Sequence, residues 1–488
     1  MRDKPESADR LRRLPAGAAG ALSLPVPSRY RPKPVADPEP PRARSVPWFE
    51  ERHRDVREDE FHWLRNRWDP SVLAYLRAEN SYADAAMAHT HSLQEQLFRE
   101  LVGRTEEADA SVPEPLDEWL YYTRIEPGRQ YPVYCRKRGA DAPEETLLDL
   151  NHLATGHPHL RLGASEPSPD HRYLAFAVDF SGDEAHTLFI RDLATGALLP
   201  ERIGSVAASL AWADDRSLFY VVVDEARRPC ALVRHRLGTD PADDILVYAE
   251  EDEAFALEVA RSRSRRWIFL ESASGSTTEI RGIRADRPED EAVVLLEREP
   301  GVEYAIAHRG DRFYILTNRE AENFRILESP ESEPRAWREL VPHRSAVKLD
   351  GLDVFRDHLV IWEREDGLPR VRIVDLVGRA EHRVELPEAA YTIHRAANPE
   401  FDTSVLRLAY ASLVTPLTVC DYDMTARALT VRKRTSVRGY DPSRYRAERF
   451  TTPAADGTGV PVSLVYRWPF PLDGSRPALL LGYGAYGA

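Results

Sequence analysis

The sequence predicts a mainly β protein: a seven-bladed β-propeller preceded by an N-terminal helical segment and followed by the first strands of a further domain. Two observations carry this. A polar turn running into a strand recurs at DHRYLAFAVD (170–179), DRSLFYVVVD (215–224), RSRRWIFLES (263–272), RGDRFYILTN (309–318), FRDHLVIWER (355–364) and FDTSVLRLAY (401–410), with starts 45, 48, 46, 46 and 46 residues apart. DEWLYYTRIE (117–126) fits as an earlier member 53 residues upstream. Each unit also carries a second strand, as in HTLFIRDLATG, CALVRHRLGTD and PLTVCDYDMTA, and usually a third. Units of this length cannot bury both faces alone, and stacking seven of them radially does so. A β-solenoid needs shorter repeats, and a sandwich keeps no such period.

In chain order, residues 1–47 hold ten of the 37 prolines and read as a disordered leader. Its basic start before LPAGAAGALSLPVP faintly resembles a signal peptide, but Asp3, Glu6, Asp9 and the prolines spoil that pattern. Residues 48–110 form the helical segment. Asp69 is its N-cap and Pro70 its first helical residue. Leu93, Leu97 and Leu101 recur at helical spacing before Gly103, a C′ candidate, so 70–103 is one long helix or two in succession. Residues 111–440 are the propeller. Beyond 440 two strands, Arg446–Thr452 and Val460–Arg467, are joined by an Asp456-Gly457 turn, and a buried strand follows at Ala478–Leu481.

Composition narrows the function. The net charge of −14 argues against nucleic acid and suits cationic ligands such as basic peptides. Three cysteines, Cys135, Cys230 and Cys420, without a CxxC pair, indicate neither a disulfide framework nor a zinc site and fit a reducing, cytoplasmic setting. No run of 18 apolar residues predicts a membrane span. Metal ligation is not expected: His89 and His91 do not share a helical face, and His152, His157 and His159 sit in a loop without a second ligand group. Asp192 to Gly196 reads as a hairpin turn, since it lacks the ligand pattern of a calcium loop. The nine tryptophans read as core.

The stretch ALLLGYGAYGA (478–488) draws attention because an apolar strand runs into glycines. Gly482, Gly484 and Gly487 match G-x-G-x-x-G, but a dinucleotide site also needs a following helix and a later acidic residue, which this stretch does not supply. The glycines let the chain turn. A tyrosine held in such a turn offers a hydroxyl donor suited to an oxyanion hole.

Four stretches resemble the prolyl oligopeptidase family of serine peptidases, its oligopeptidase B branch in particular: FHWLRNRWDPSVLAYLRAENSYADAAM (61–87), YYTRIEPGRQYPVYCRKRG (121–139), ERFTTPAADGTGVPVSLVYR (448–467) and LLGYGAYGA. They run from about residue 46 to the last residue. The resemblance implies that 441–488 begin an α/β-hydrolase catalytic domain, that 48–110 pack with it, and that the propeller caps the active site and admits only short peptides. It implies a cofactor-free, metal-free enzyme cutting after Arg or Lys by acyl-enzyme chemistry. Tyr483, flanked by Gly482 and Gly484, matches the family's oxyanion-hole tyrosine. No G-x-S-x-G occurs in the 488 residues; Gly163-Ala164-Ser165-Glu166-Pro167 comes nearest and lacks the second glycine. The resemblance therefore places the Ser/Asp/His triad beyond Ala488, and the chain is expected to be an inactive N-terminal fragment. The alternative is a catalytically inactive propeller that binds peptides or proteins.

Overall fold

The computed structural model describes residues 39–469 and 473–483, so most of the expected leader lies outside the described residues. The chain divides into two compact units between Val102 and Gly103.

The first unit opens with a hairpin, Phe49–Arg52 against Asp55–Glu58. Helix α1 spans Pro70–Met87 and α2 spans His91–Arg104, linked by the 3-10 turn Ala88–Thr90. Two helices in succession is thus the outcome. Asp69 Oδ1 accepts the Ser71 N–H at 2.8 Å, satisfying a donor that the first turn leaves without an intrahelical acceptor. Gly103 is corrected: it lies inside the last turn of α2, because a glycine that is not driven to positive φ takes helical angles as any residue does. Val72 is buried, whereas Leu93, Leu97 and Phe98 of α2 are exposed.

The second unit is built from six antiparallel sheets between Asp109 and Arg434, each packed on the next. The first holds five strands, from Asp109–Ala110 to Glu145–Asp149. The second holds seven, from Arg161–Pro167 to Ile245–Ala249. The third (Ala256–Arg261 to Val293–Leu296), fourth (Tyr304–Arg309 to Arg338–Val341), fifth (Val347–Val354 to Glu381–Arg383) and sixth (Tyr391–Arg395 to Ala428–Arg434) hold four each.

The expected count of seven blades is therefore corrected: five sheets are of blade size, and the seven-stranded sheet joins two of the units that the sequence period separates. The cause is the 15-residue strand Leu198–Trp212. Its first half pairs with His186–Asp192 and its second half with Ser217–Val223, with a register shift between Val206 and Leu210. Such an irregularity bends a strand without ending it, so hydrogen bonding continues where the period places a boundary. The two halves pack on each other through Ile190, Val206, Trp212 and Leu218.

Apolar clusters fill the gaps between consecutive sheets, for instance Phe219, Leu232, Val259 and Ile268 between the second and third. Second strands are buried on both faces, as in Trp267–Ala273. Innermost strands alternate: Leu257 and Val259 face the core while Ala256, Glu258 and Ala260 face the central channel. Where the sixth sheet meets the first, the contacts are polar: Arg407 Nη1 donates to Pro113 O at 2.6 Å, Lys433 Nζ lies 2.5 Å from Asp109 Oδ1, and the Asp117 N–H donates to Glu400.

Turns between first and second strands form one rim of the ring, and turns between second and third strands the opposite rim. The chain leaves the sixth sheet at the second rim. There Tyr440 Oη donates to Val414 O at 2.6 Å and Arg449 donates to Asp366 O. The hairpin Tyr445–Pro453 with Gly459–Arg467 follows, around the expected Asp456-Gly457 turn. No helix among the described residues is long and apolar enough to cross a membrane.

Candidate functional site

Asp473 Oδ1 accepts the Ser475 N–H at 3.0 Å, and the chain then runs to Tyr483 without regular secondary structure. The buried strand expected at Ala478–Leu481 is corrected: these residues pair with no strand among the described residues, and Leu479, Leu480 and Leu481 are more than 80% exposed (83%, 87% and 82%). Without a neighbour to take its N–H and C=O groups, an apolar run gains nothing by becoming a strand. Tyr483 is exposed, no side chain among the described residues is brought to its hydroxyl, a Cβ added at Gly482 would meet open space, and Gly484 lies outside the described residues.

A second candidate lies in the channel. A cavity of about 490 Å³ is lined by the innermost strands of the second and third sheets and by turns of the first rim. Its wall carries Glu166 and Glu258. Glu166 is wetted by the channel yet ringed by protein, and this loss of solvent raises its carboxyl pKa to about 7. Glu258 sits directly opposite Glu271 across the strand pair. Burial, and then the Glu258 charge, hold the Glu271 carboxyl above its usual range. The wall thus offers acceptors for a cationic group.

At the first rim His171 lies between Tyr121 Oη, 2.8 Å from its Nδ1, and Asp117 Oδ2, 2.9 Å from its Nε2. Asp117 also accepts Arg265 at 2.8 Å. Burial would raise the Asp117 carboxyl, but Arg265 and His171 outweigh it and the pKa falls. The cavity serines are engaged: Ser168 donates to Asp170 at 2.5 Å, and Ser209 donates to Val259 O and accepts its N–H.

One Ser–His–carboxylate row, which the sequence reading missed, does occur. Ser264 Oγ is 2.7 Å from His308 Nδ1, and His308 Nε2 is 2.6 Å from Glu331 Oε1. His308 is buried, and burial lowers its pKa in spite of Glu331. Glu331 is shared with Trp267 Nε1 at 2.9 Å, and Ser264 with Ser262 at 3.0 Å. A buried base without an open substrate face does not transfer acyl groups, and the row anchors the turn Ser262–Arg266. No sequence signal could have found it, since its members are 44 and 23 residues apart on separate strands and turns. Of the other histidines considered in the sequence, His157 packs on Phe180 and His159 faces Asp179 at 3.9 Å. Among the described residues no group of three or more His, Cys, Asp or Glu is arranged to hold a metal.

Comparison with known proteins bears on both regions. Residues 40–435 match the family model "Prolyl oligopeptidase, N-terminal beta-propeller domain". The chain is 38% identical over 460 residues to dipeptidyl aminopeptidase BI of Pseudoxanthomonas mexicana, covering 89% of this chain and 63% of that protein. It is 34% identical to protease 2 of Moraxella lacunata, covering 92% of this chain and 66% of that one. The chain therefore spans somewhat less than two thirds of these relatives. The structure is similar to oligopeptidase B from Trypanosoma brucei, solved in a closed form with covalently bound antipain (TM-score 0.85, 30% identity, 92% of this chain and 68% of that one). Oligopeptidase B from Leishmania major is similar at TM-score 0.84 and 27% identity, over 90% of this chain and 66% of that one. A ring of antiparallel sheets over the region that a single family model matches, with relatives above 30% identity along most of its length, makes this chain a member of the prolyl oligopeptidase family.

Proposed function

We propose that the chain is the N-terminal, substrate-screening part of a cytoplasmic serine oligopeptidase that hydrolyses short peptides after Arg or Lys through an acyl-enzyme. The observation that carries this reading is the match through the propeller, joined to 30% identity with an oligopeptidase B that holds antipain covalently. In this reading residues 441–488 open an α/β-hydrolase domain and residues 48–110 pack with it. Tyr483, between Gly482 and Gly484, gives one hydrogen bond to the oxyanion, a contribution of about 2.7–4 kcal/mol to transition-state stability in enzymes of this kind. The channel carboxylates Glu166 and Glu258 and the net charge of −14 favour cationic peptides. In this reading the nucleophile and base are not among residues 1–488, which carry no G-x-S-x-G, so these residues alone do not hydrolyse peptides.

A fluorophosphonate label tests this. Purified residues 1–488 are expected to remain unlabelled. The protein continued through its downstream reading frame is expected to label at one serine of a G-x-S-x-G motif and to cleave an Arg-Arg-coumarin peptide. Labelling of the short chain, or silence of the long one, overturns the reading. A soluble short chain that binds Arg-containing peptides while the long form stays unlabelled is the outcome demanded by a binding-only propeller.

A further inference from the structure

We propose that Arg263 and Arg265 form a latch that shuts the channel at the first rim, so that the propeller cavity is entered only from the opposite rim. Both arginines belong to the turn Ser262–Arg266 of the third sheet, whose neighbours in the ring are the second and fourth sheets. Their side chains reach past these neighbours. Arg263 Nη2 meets Asp353 Oδ1 of the fifth sheet at 2.7 Å, its Nη1 donates to Val354 O at 3.1 Å, and its Nε donates to Asn398 O, ahead of the second strand of the sixth sheet, at 2.7 Å. Arg265 Nη2 meets Asp117 Oδ2 of the first sheet at 2.8 Å. In a ring, non-adjacent members are joined by short side-chain contacts only across the centre. The two guanidiniums therefore span the mouth in divergent directions and roof the cavity that both of them line.

The turn is built to hold them there. Arg265 takes φ 61°, a conformation that few residues other than glycine adopt, and its N–H closes the turn on Ser262 O at 2.8 Å. Ser262 Oγ accepts the Trp267 N–H at 3.0 Å, and Ser264 is tied to His308. Arg261 Nη2 donates to Arg265 O at 3.2 Å from the cavity side. The Phe355 ring stacks under the Arg263 guanidinium at 4.6 Å, and Trp362 Nε1 holds Asp353 in place at 2.7 Å. The closing contacts themselves are single ion pairs at a partly exposed mouth, with side-chain exposures of 21% and 35% for the arginines. Salt weakens such pairs, so the latch is releasable whereas the turn beneath it is fixed. This holds whether or not the peptidase reading stands.

Ala260, an exposed channel residue one strand-step inside the latch, gives the reporter. In a Cys230→Ser background, where Cys135 and Cys420 are buried, Ala260→Cys is treated with an uncharged maleimide carrying a poly(ethylene glycol) tail. Adding Arg263→Ala and Arg265→Ala is expected to raise the labelling rate about tenfold, the population change that loss of a modest ion-pair latch brings. Should that variant fold poorly by circular dichroism, Asp117→Asn with Asp353→Asn frees the same guanidiniums from the far side at constant volume, with the same increase expected. Molar sodium chloride should quicken labelling of the latched protein and leave the unlatched one unchanged. Equal rates with and without the latch, or a salt response shared by both proteins, overturn the proposal.

Discussion

Gly282 shows how a single residue can be required by its surroundings. It lies in the strand Thr278–Arg284, opposite Phe269 on one side and Val293 on the other. A methyl group there would stand 2.6 Å from Leu295 Cδ1 and 3.0 Å from Trp267 Cε3, both buried side chains. Overpacking of this kind typically costs about 1–3 kcal/mol. Gly282→Ala should lower the urea-unfolding free energy by that amount, and Leu295→Ala in the same chain should recover part of the loss. An alanine variant as stable as the parent would show that the space is not filled. Individual residues were legible in the sequence where their partners are local. Asp69, the Asp456-Gly457 turn and the paired strands of the last hairpin depend on neighbours a few positions away. Gly282, Arg263 and His308 were not legible, because what fixes them comes from other sheets.

At the scale of elements, sheets are stapled to each other by buried charge as well as by apolar contact. Glu250 follows the last strand of the second sheet. It accepts Arg298 at 2.5 Å and Ser272 at 2.6 Å, both from the third, and the Arg298 guanidinium lies over Phe255 at 3.6 Å. Burial alone would raise the Glu250 carboxyl, but Arg298, Ser272 and the Asp252 N–H outweigh it and hold the pKa at about 2. A carboxyl depressed on folding contributes stability that is complete above its unfolded value near 4.5 and is lost as pH falls towards 2. Glu250→Gln should therefore cost about 1–3 kcal/mol at pH 7, allowing for solvent around Arg298, and progressively less below pH 4.5. Urea melts at pH 7 and pH 3 check this, and a gap that does not narrow on acidification counts against the staple. The repeat period made the strands legible, because each recurring one is a short apolar run that follows a polar turn. It did not make their grouping into sheets legible. Whether a strand stops or bends on, as Leu198–Trp212 does, depends on a register shift that leaves the apolar pattern intact.

For the whole molecule, the junction of sixth and first sheets rests on side chains instead of a shared strand. Arg407 bridges it, held by Asp421 at 2.7 and 3.0 Å while it reaches Pro113 O. Charged hydrogen bonds of this type are worth about 1.5–3 kcal/mol each. Arg407→Ala should accordingly speed amide exchange in residues 109–125 while leaving 198–223 unchanged. Uniform acceleration around the ring would show that the junction is no weaker than the rest. The surroundings of Tyr483 were legible only as far as its glycine neighbours, because residues 473–483 run exposed and pair with no strand among the described residues. The long strand Leu198–Trp212 has a mechanical consequence. Tension applied between the two ends of the ring is carried in shear along fifteen continuous residues at that strand, but across the polar junction by a handful of guanidinium and ammonium contacts. The ring is therefore built like a split washer, with one reinforced arc and one gap where it yields first.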